Sequence, residues 1–188
     1  MRTWRTLTLV VTSVAAAAVA WSCDRPSNPV AAGPERPRFW FGECSGESKF
    51  TGGGRIDPTD NTMTGKVTFG FNIHASSDCS QVLKGQFEVV HHPSQTKYHS
   101  VSFDSYASFN DPDMGQCFEL TGTFRAKHAN GGWHDHPVFI QACDKGEPGS
   151  SPGTGPDTFW FATTDGSSDP GHGDTGPTPL TGGNIQAH

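Results

Sequence analysis

The sequence predicts an all-β fold, a single antiparallel β-sandwich or meander barrel of about eight strands spanning residues 39–188. Three observations predict it. Aromatic and β-branched residues alternate with polar ones in short runs. Gly, Asn-Asp-Pro and Pro-Gly break these runs at short intervals. Beyond the N-terminal leader, no apolar stripe of helical period exceeds two turns.

In chain order the predicted strands are Lys49–Ile56, Lys66–His74, Leu83–His91, Lys97–Phe103, Cys117–Lys127, Pro137–Cys143, Asp157–Thr163 and Gly182–His188. The second shows the pattern best. Val67, Phe69, Phe71 and Ile73 share one face; Thr68, Gly70, Asn72 and His74 share the other. Gly52-Gly53-Gly54 lies in the first strand. It is no phosphate loop, because neither a Lys-Ser/Thr pair nor a helix follows. It is expected to allow a bulge or a tight barrel corner. Bulky candidates for the interior are Phe69, Phe71, Phe118, Leu120 and Phe124, which argue for a filled interior rather than a hollow one.

One hairpin is specified in detail. Asn130-Gly131-Gly132 supplies residues that tolerate positive φ, and so predicts a turn. That turn sets Cys117 opposite Cys143, Phe118 opposite Ala142, Leu120 opposite Ile140 and Gly122 opposite Val138. The apolar residues then share one face and the cysteines the other. A slip of one residue would destroy both matches. A Cys117–Cys143 disulfide is expected, and by elimination Cys44–Cys79.

The N-terminus reads as an export signal over residues 1–22. Arg2 and Arg5 precede an apolar run, Leu7 to Ala20, too short to span a bilayer. The segment Ala20-Trp21-Ser22-Cys23 resembles the lipobox of bacterial lipoproteins. The resemblance implies lipidation of Cys23, although the family favours Leu where Ala20 stands. Of the five cysteines, setting Cys23 aside leaves an even number for an oxidising compartment. Residues 23–38 carry Pro26, Pro29, Pro34 and Pro37 and read as a flexible tether. The expected address is the bacterial cell envelope, with secretion as the alternative.

The chain holds 13 Lys+Arg against 19 Asp+Glu. Loss of Arg2 and Arg5 with the leader makes the mature domain more acidic still. This balance excludes a basic nucleic-acid surface and suits a monomeric surface domain.

Five segments, in order, carry a further resemblance: Thr51-Gly52-Gly53-Gly54-Arg55-Ile56, Gly65-Lys66-Val67-Thr68-Phe69-Gly70-Phe71, Gly85-Gln86-Phe87-Glu88-Val89, Asp157-Thr158-Phe159-Trp160-Phe161 and Gly182-Gly183-Asn184-Ile185-Gln186-Ala187-His188. Together they resemble the post-COAP domain, an all-β module of exported bacterial proteins. The resemblance implies extracytoplasmic display. It implies no activity and carries over no catalytic residue. The four remaining cysteines and a His-rich hairpin depart from that pattern.

Nine histidines are the one chemical excess. His134-Asp135-His136 places two imidazoles on one face of a strand, with His128 on the partner strand. Three imidazoles so placed suit zinc or copper; an exposed hairpin end carries histidine equally well with no ligand. His91-His92 project to opposite faces, so only one of them can join a site. His172 lies in a Gly-rich loop and is expected to be solvated. Asp165, Asp169 and Asp174 supply oxygen ligands for calcium in a spacing that matches no EF-hand. The loops 145–156 and 165–179 are long for hairpin connections, and are expected to be either mobile or functional. Trp160 alternates with Phe159 and Phe161 and is the first candidate for a ligand platform. No Gly-x-Ser-x-Gly elbow occurs.

The expected function is therefore non-enzymatic: a lipid-tethered β-domain with a structural role or an extracellular macromolecular partner. No cofactor is required by this reading, though the histidines admit a metal. The alternatives are a small-ligand or metal-binding β-barrel carrier and a small exported hydrolase.

Overall fold

The computed structural model describes residues 48–77, 80–129, 131–146 and 155–188. The leader, the lipid anchor at Cys23, the tether and the Cys44–Cys79 pairing lie outside these residues.

Nine strands form one sheet: β1 (Lys49–Ile56), β2 (Val67–Ala75), β3 (Val82–His91), β4 (Thr96–Asp111), β5 (Gly115–Lys127), β6 (Trp133–Asp144), β7 (Thr158–Thr163), β8 (Thr178–Pro179) and β9 (Gly182–Ala187). Their spatial order is β8-β7-β6-β5-β4-β3-β2-β1-β9, with every pairing antiparallel. The all-β expectation holds. The architecture is a meander curled into a half-barrel rather than a two-sheet sandwich. No helix occurs among the described residues.

The inward face is the alternating apolar set. Phe50, Phe69, Phe71, Phe87, Phe118, Leu120, Phe124, Ile140, Phe159 and Phe161 are buried in one cluster. Rings stack through it, with Phe69 on Phe159 at 3.8 Å and Phe71 on Phe87 at 4.8 Å between centroids. Full burial of each such side chain contributes about 1.5–3 kcal/mol. The interior is filled, as the bulky inward residues predict.

Gly52, Gly53 and Gly54 pair in unbroken register with β2 and with β9, so the expected bulge is absent. Their role is close approach. A Cβ on Gly54 would sit 2.6 Å from the Gly182 carbonyl oxygen, and one on Gly52 would sit 3.0 Å from the Phe71 ring.

β4 runs to Asp111, eight residues beyond the predicted end at Phe103. Its register shifts between Ser100 and Ser102 and again between Phe103 and Ser105. Each irregularity resets the two-residue alternation by which a strand is recognised. β3 pairs with β4 only through Glu88–His91, so the two strands part beyond His99.

The far edge is finished by side chains. The Ile185 N–H donates to Asp157 Oδ2 at 2.7 Å, and the Ala187 N–H donates to Asp144 Oδ2 at 2.8 Å. Two carboxylates thus occupy positions that a further strand would fill.

The β5–β6 register is the one predicted, with Cys117 opposite Cys143, Leu120 opposite Ile140 and Phe124 opposite His136. Cys117 and Cys143 form a disulfide. This bond is consistent with an oxidising compartment.

Candidate metal centre

Residue parity along the hairpin decides where its histidines go. His136 follows Ala142, Ile140 and Val138 at two-residue steps, so it continues the inward face of β6. His128 lies two residues beyond Ala126 and continues the inward face of β5 past its end. Both imidazoles therefore stand at one end of the barrel interior. His136 is only 5 % exposed, and His128 is half-buried.

The loop after β7 completes the cluster. It is ordered by hydrogen bonds to the barrel end. The Tyr98 hydroxyl donates to the Gly171 carbonyl at 2.8 Å, and the Thr96 hydroxyl donates to the Pro170 carbonyl at 2.7 Å. The Met63 N–H donates to the Asp174 carbonyl at 3.0 Å, and the Thr175 N–H donates to the Phe161 carbonyl at 3.0 Å. Gly171 and Gly173 both have positive φ, at 85° and 139°. A Cβ on Gly171 would collide with the Ser94 and Thr96 hydroxyls, and one on Gly173 with the Thr62 hydroxyl. This glycine bracket presses the intervening His172 into the barrel end. His172 is 9 % exposed, which corrects the expectation that it is solvated.

His128, His136, Asp169 and His172 thus converge. One ligand atom of each lies within 4.8 Å of those of the other three. His136 and His172 meet edge to face with ring centroids 4.0 Å apart, and His128 and His172 lie at 5.5 Å.

The tautomers follow from the partners. His136 Nδ1 lies 2.6 Å from Asp165 Oδ2, and a carboxylate only accepts, so Nδ1 carries the proton. His128 Nδ1 lies 3.2 Å from the Pro170 carbonyl oxygen, which fixes its proton in the same way. Both Nε2 atoms are then bare lone pairs. Both are buried, and neither has a hydrogen-bond partner among the described residues. Both ring nitrogens of His172 are likewise buried without a hydrogen-bond partner, and one of them carries the ring proton; Nδ1 lies 3.7 Å from Asp165 Oδ1. Burial, and then the neighbouring His136 imidazole, push the His172 pKa below its ordinary value, which favours the neutral, ligating form. Burial alone would raise the Asp165 carboxyl. The hydrogen bonds from His136 and the Ser167 N–H outweigh it and hold Asp165 below the ordinary aspartate range.

Buried lone pairs without partners leave hydrogen-bonding capacity unused. A cation among them removes that penalty. Three imidazoles and one carboxylate are the donor set of zinc, and Asp165 on His136 is the outer carboxylate that orients a ligating ring. Four ligands about 2.1 Å from a zinc ion stand about 3.4 Å apart. Binding would draw the groups together by small side-chain rotations.

The other expected site residues fall as follows. His134 is exposed and outside the four. Its ring centroid is 5.8 Å from that of His128 and 6.3 Å from that of His136. The acidic trio is dispersed: Asp165 holds His136, Asp169 joins the cluster, and Asp174 accepts the Trp160 indole N–H at 2.6 Å. Trp160 does face away from Phe159 and Phe161. It packs against Phe139 at 4.9 Å, with its one polar atom engaged by Asp174. His91 binds the Ser94 hydroxyl and the Thr64 carbonyl at 2.7 and 2.9 Å and stays outside the cluster.

The chain matches no family model, no curated protein and no solved structure.

Proposed function

We propose that this protein is a lipid-tethered β-domain of the bacterial cell envelope that binds one zinc ion through His128, His136, His172 and Asp169. One observation carries the reading: buried imidazole nitrogens with no hydrogen-bond partner meet at one point, while outer hydrogen bonds fix two of the rings in the ligating tautomer. The imidazole-rich set favours zinc over calcium or magnesium, which take oxygen ligands. The lipobox-like segment, the Pro-rich tether and the post-COAP resemblance support envelope display. The Cys117–Cys143 bond supports export. We assign the domain as a binding module, and its membrane partner is the bilayer that receives the Cys23 lipid.

The test is native mass spectrometry and calorimetric titration of the full chain, exported, purified in detergent and kept free of chelator. The expected result is one zinc per chain, lost in His136→Ala and in His172→Ala. A full chain that takes up no zinc overturns the proposal.

A further inference from the structure

The centre is not sealed. A groove of about 280 Å³ opens beside it, bordered by Ser94, His128, His134, Pro170 and Asp169. The walls are unequal. His136 and His172 are buried, whereas Asp169 and His134 are exposed at the groove. His134 stands two residues from His136 on the same side of β6. It has no hydrogen-bond or ion-pair partner among the described residues. A metal held only to complete a fold gains from closure on every side, and a spare imidazole at its open side adds nothing to it.

We infer that His134 is a transfer ligand, through which the ion passes between the centre and a small chelating molecule in the groove. This rests on the zinc reading above and assigns that site a carrier's task. The step is a ligand substitution. The His134 Nε2 lone pair forms a bond to zinc as the bond to the exposed Asp169 oxygen breaks; the donor atoms of the incoming chelate then replace His128, His136 and His172 in turn and displace His134 last. No electrons are exchanged, and the zinc stays divalent throughout. At about 280 Å³ the groove lies at the small end of ligand sites and is too small to seat a folded partner. The natural donor or acceptor is accordingly a compact nitrogen- or oxygen-donor chelate.

The experiment loads the full chain in detergent with zinc and mixes it rapidly with excess 4-(2-pyridylazo)resorcinol, whose colour reports the transferred ion. The wild-type rate should rise in proportion to chelator concentration. His134→Ala should leave zinc affinity within about threefold and slow transfer about tenfold or more, because it removes a ligand held at high effective concentration. His134→Glu, which restores a donor atom, should recover most of the rate. Transfer unchanged in His134→Ala, with zinc still bound, overturns this inference and leaves the centre standing. An affinity loss in His134→Ala as large as in His128→Ala also overturns it, by making His134 a permanent ligand. A wild-type chain without zinc removes both readings.

Discussion

The β5–β6 hairpin is tied at both ends by different chemistry. At the Gly115/Asp144 end, the disulfide joins two residues that the hairpin itself sets face to face. At the turn end, His128 and His136, with ring centroids 6.1 Å apart and Nε2 atoms unpartnered, meet Asp169 and His172 from the loop after β7. The first tie is local and covalent; the second, as proposed, draws ligands from residues 128 to 172 and depends on an ion. A local tie constrains the hairpin whatever the surroundings. A distant one couples the order of the loop to what is bound, and an ion that can leave makes that coupling reversible.

The sharpest way to break this comparison is to supply or withhold the metal. Zinc at about a thousand times its dissociation constant should add about 4 kcal/mol to stability and raise Tm by about 10 °C. Scanning calorimetry of chelator-treated and zinc-loaded protein measures it. In Gly171→Ala the metal-induced rise should shrink, because the added Cβ displaces the loop from Ser94 and Thr96.

The disulfide end should respond oppositely. Replacing both Cys117 and Cys143 by Ala should cost about 3.5 kcal/mol, given a loop of 26 residues. Zinc affinity should hardly change, since distant sites act additively. A denaturant titration and a zinc titration of the same variant read the two quantities. Strong loss of zinc affinity in that variant would show that the two ties are one cooperative unit.

Asp165→Asn sharpens the metal end. It keeps the side-chain shape and leaves His136 without its anionic partner. Zinc affinity should fall about 10–100-fold. Competition with a zinc-binding dye measures it.

The smallest effect expected is at Glu119, buried on the outer face of β5 and held by the Gln141 side-chain amide at 2.8 Å. Burial raises its carboxyl above the ordinary range despite that hydrogen bond. The folded state therefore holds the proton more tightly than the unfolded state. This contribution to stability is full below the ordinary glutamate pKa and is lost as pH rises through the higher folded value. Glu119→Gln should match the wild type in mild acid and exceed it in Tm at neutral pH. Melting curves across that interval check the sign.

The same contrast explains what was legible in the sequence. Strand alternation and the hairpin register follow from nearest-neighbour patterns, so eight strands and the Cys117–Cys143 bond could be read directly. The end of β4 could not, because two register shifts hide its alternation. Of the centre, His128 and His136 were legible as a converging pair. His134 was grouped with them on spacing, but its exposure leaves it at the groove. Parity with Val138 and Ile140 already placed His136 on the core face, a signal that the H-x-H spacing obscured. In the sequence Asp169 reads as a calcium ligand with Asp165 and Asp174, and His172 as solvated, because no local pattern reports where a Gly-rich loop folds back. The glycine bracket Gly171-His172-Gly173 is the one sequence mark of that return.

The most direct test of the centre is X-ray absorption at the zinc edge on the metal-loaded full chain. The account predicts a four-coordinate ion with three imidazole nitrogens at about 2.0–2.1 Å and one carboxylate oxygen at about 2.0–2.2 Å. A six-coordinate shell of oxygens, without the outer-ring scattering of imidazole, would contradict it.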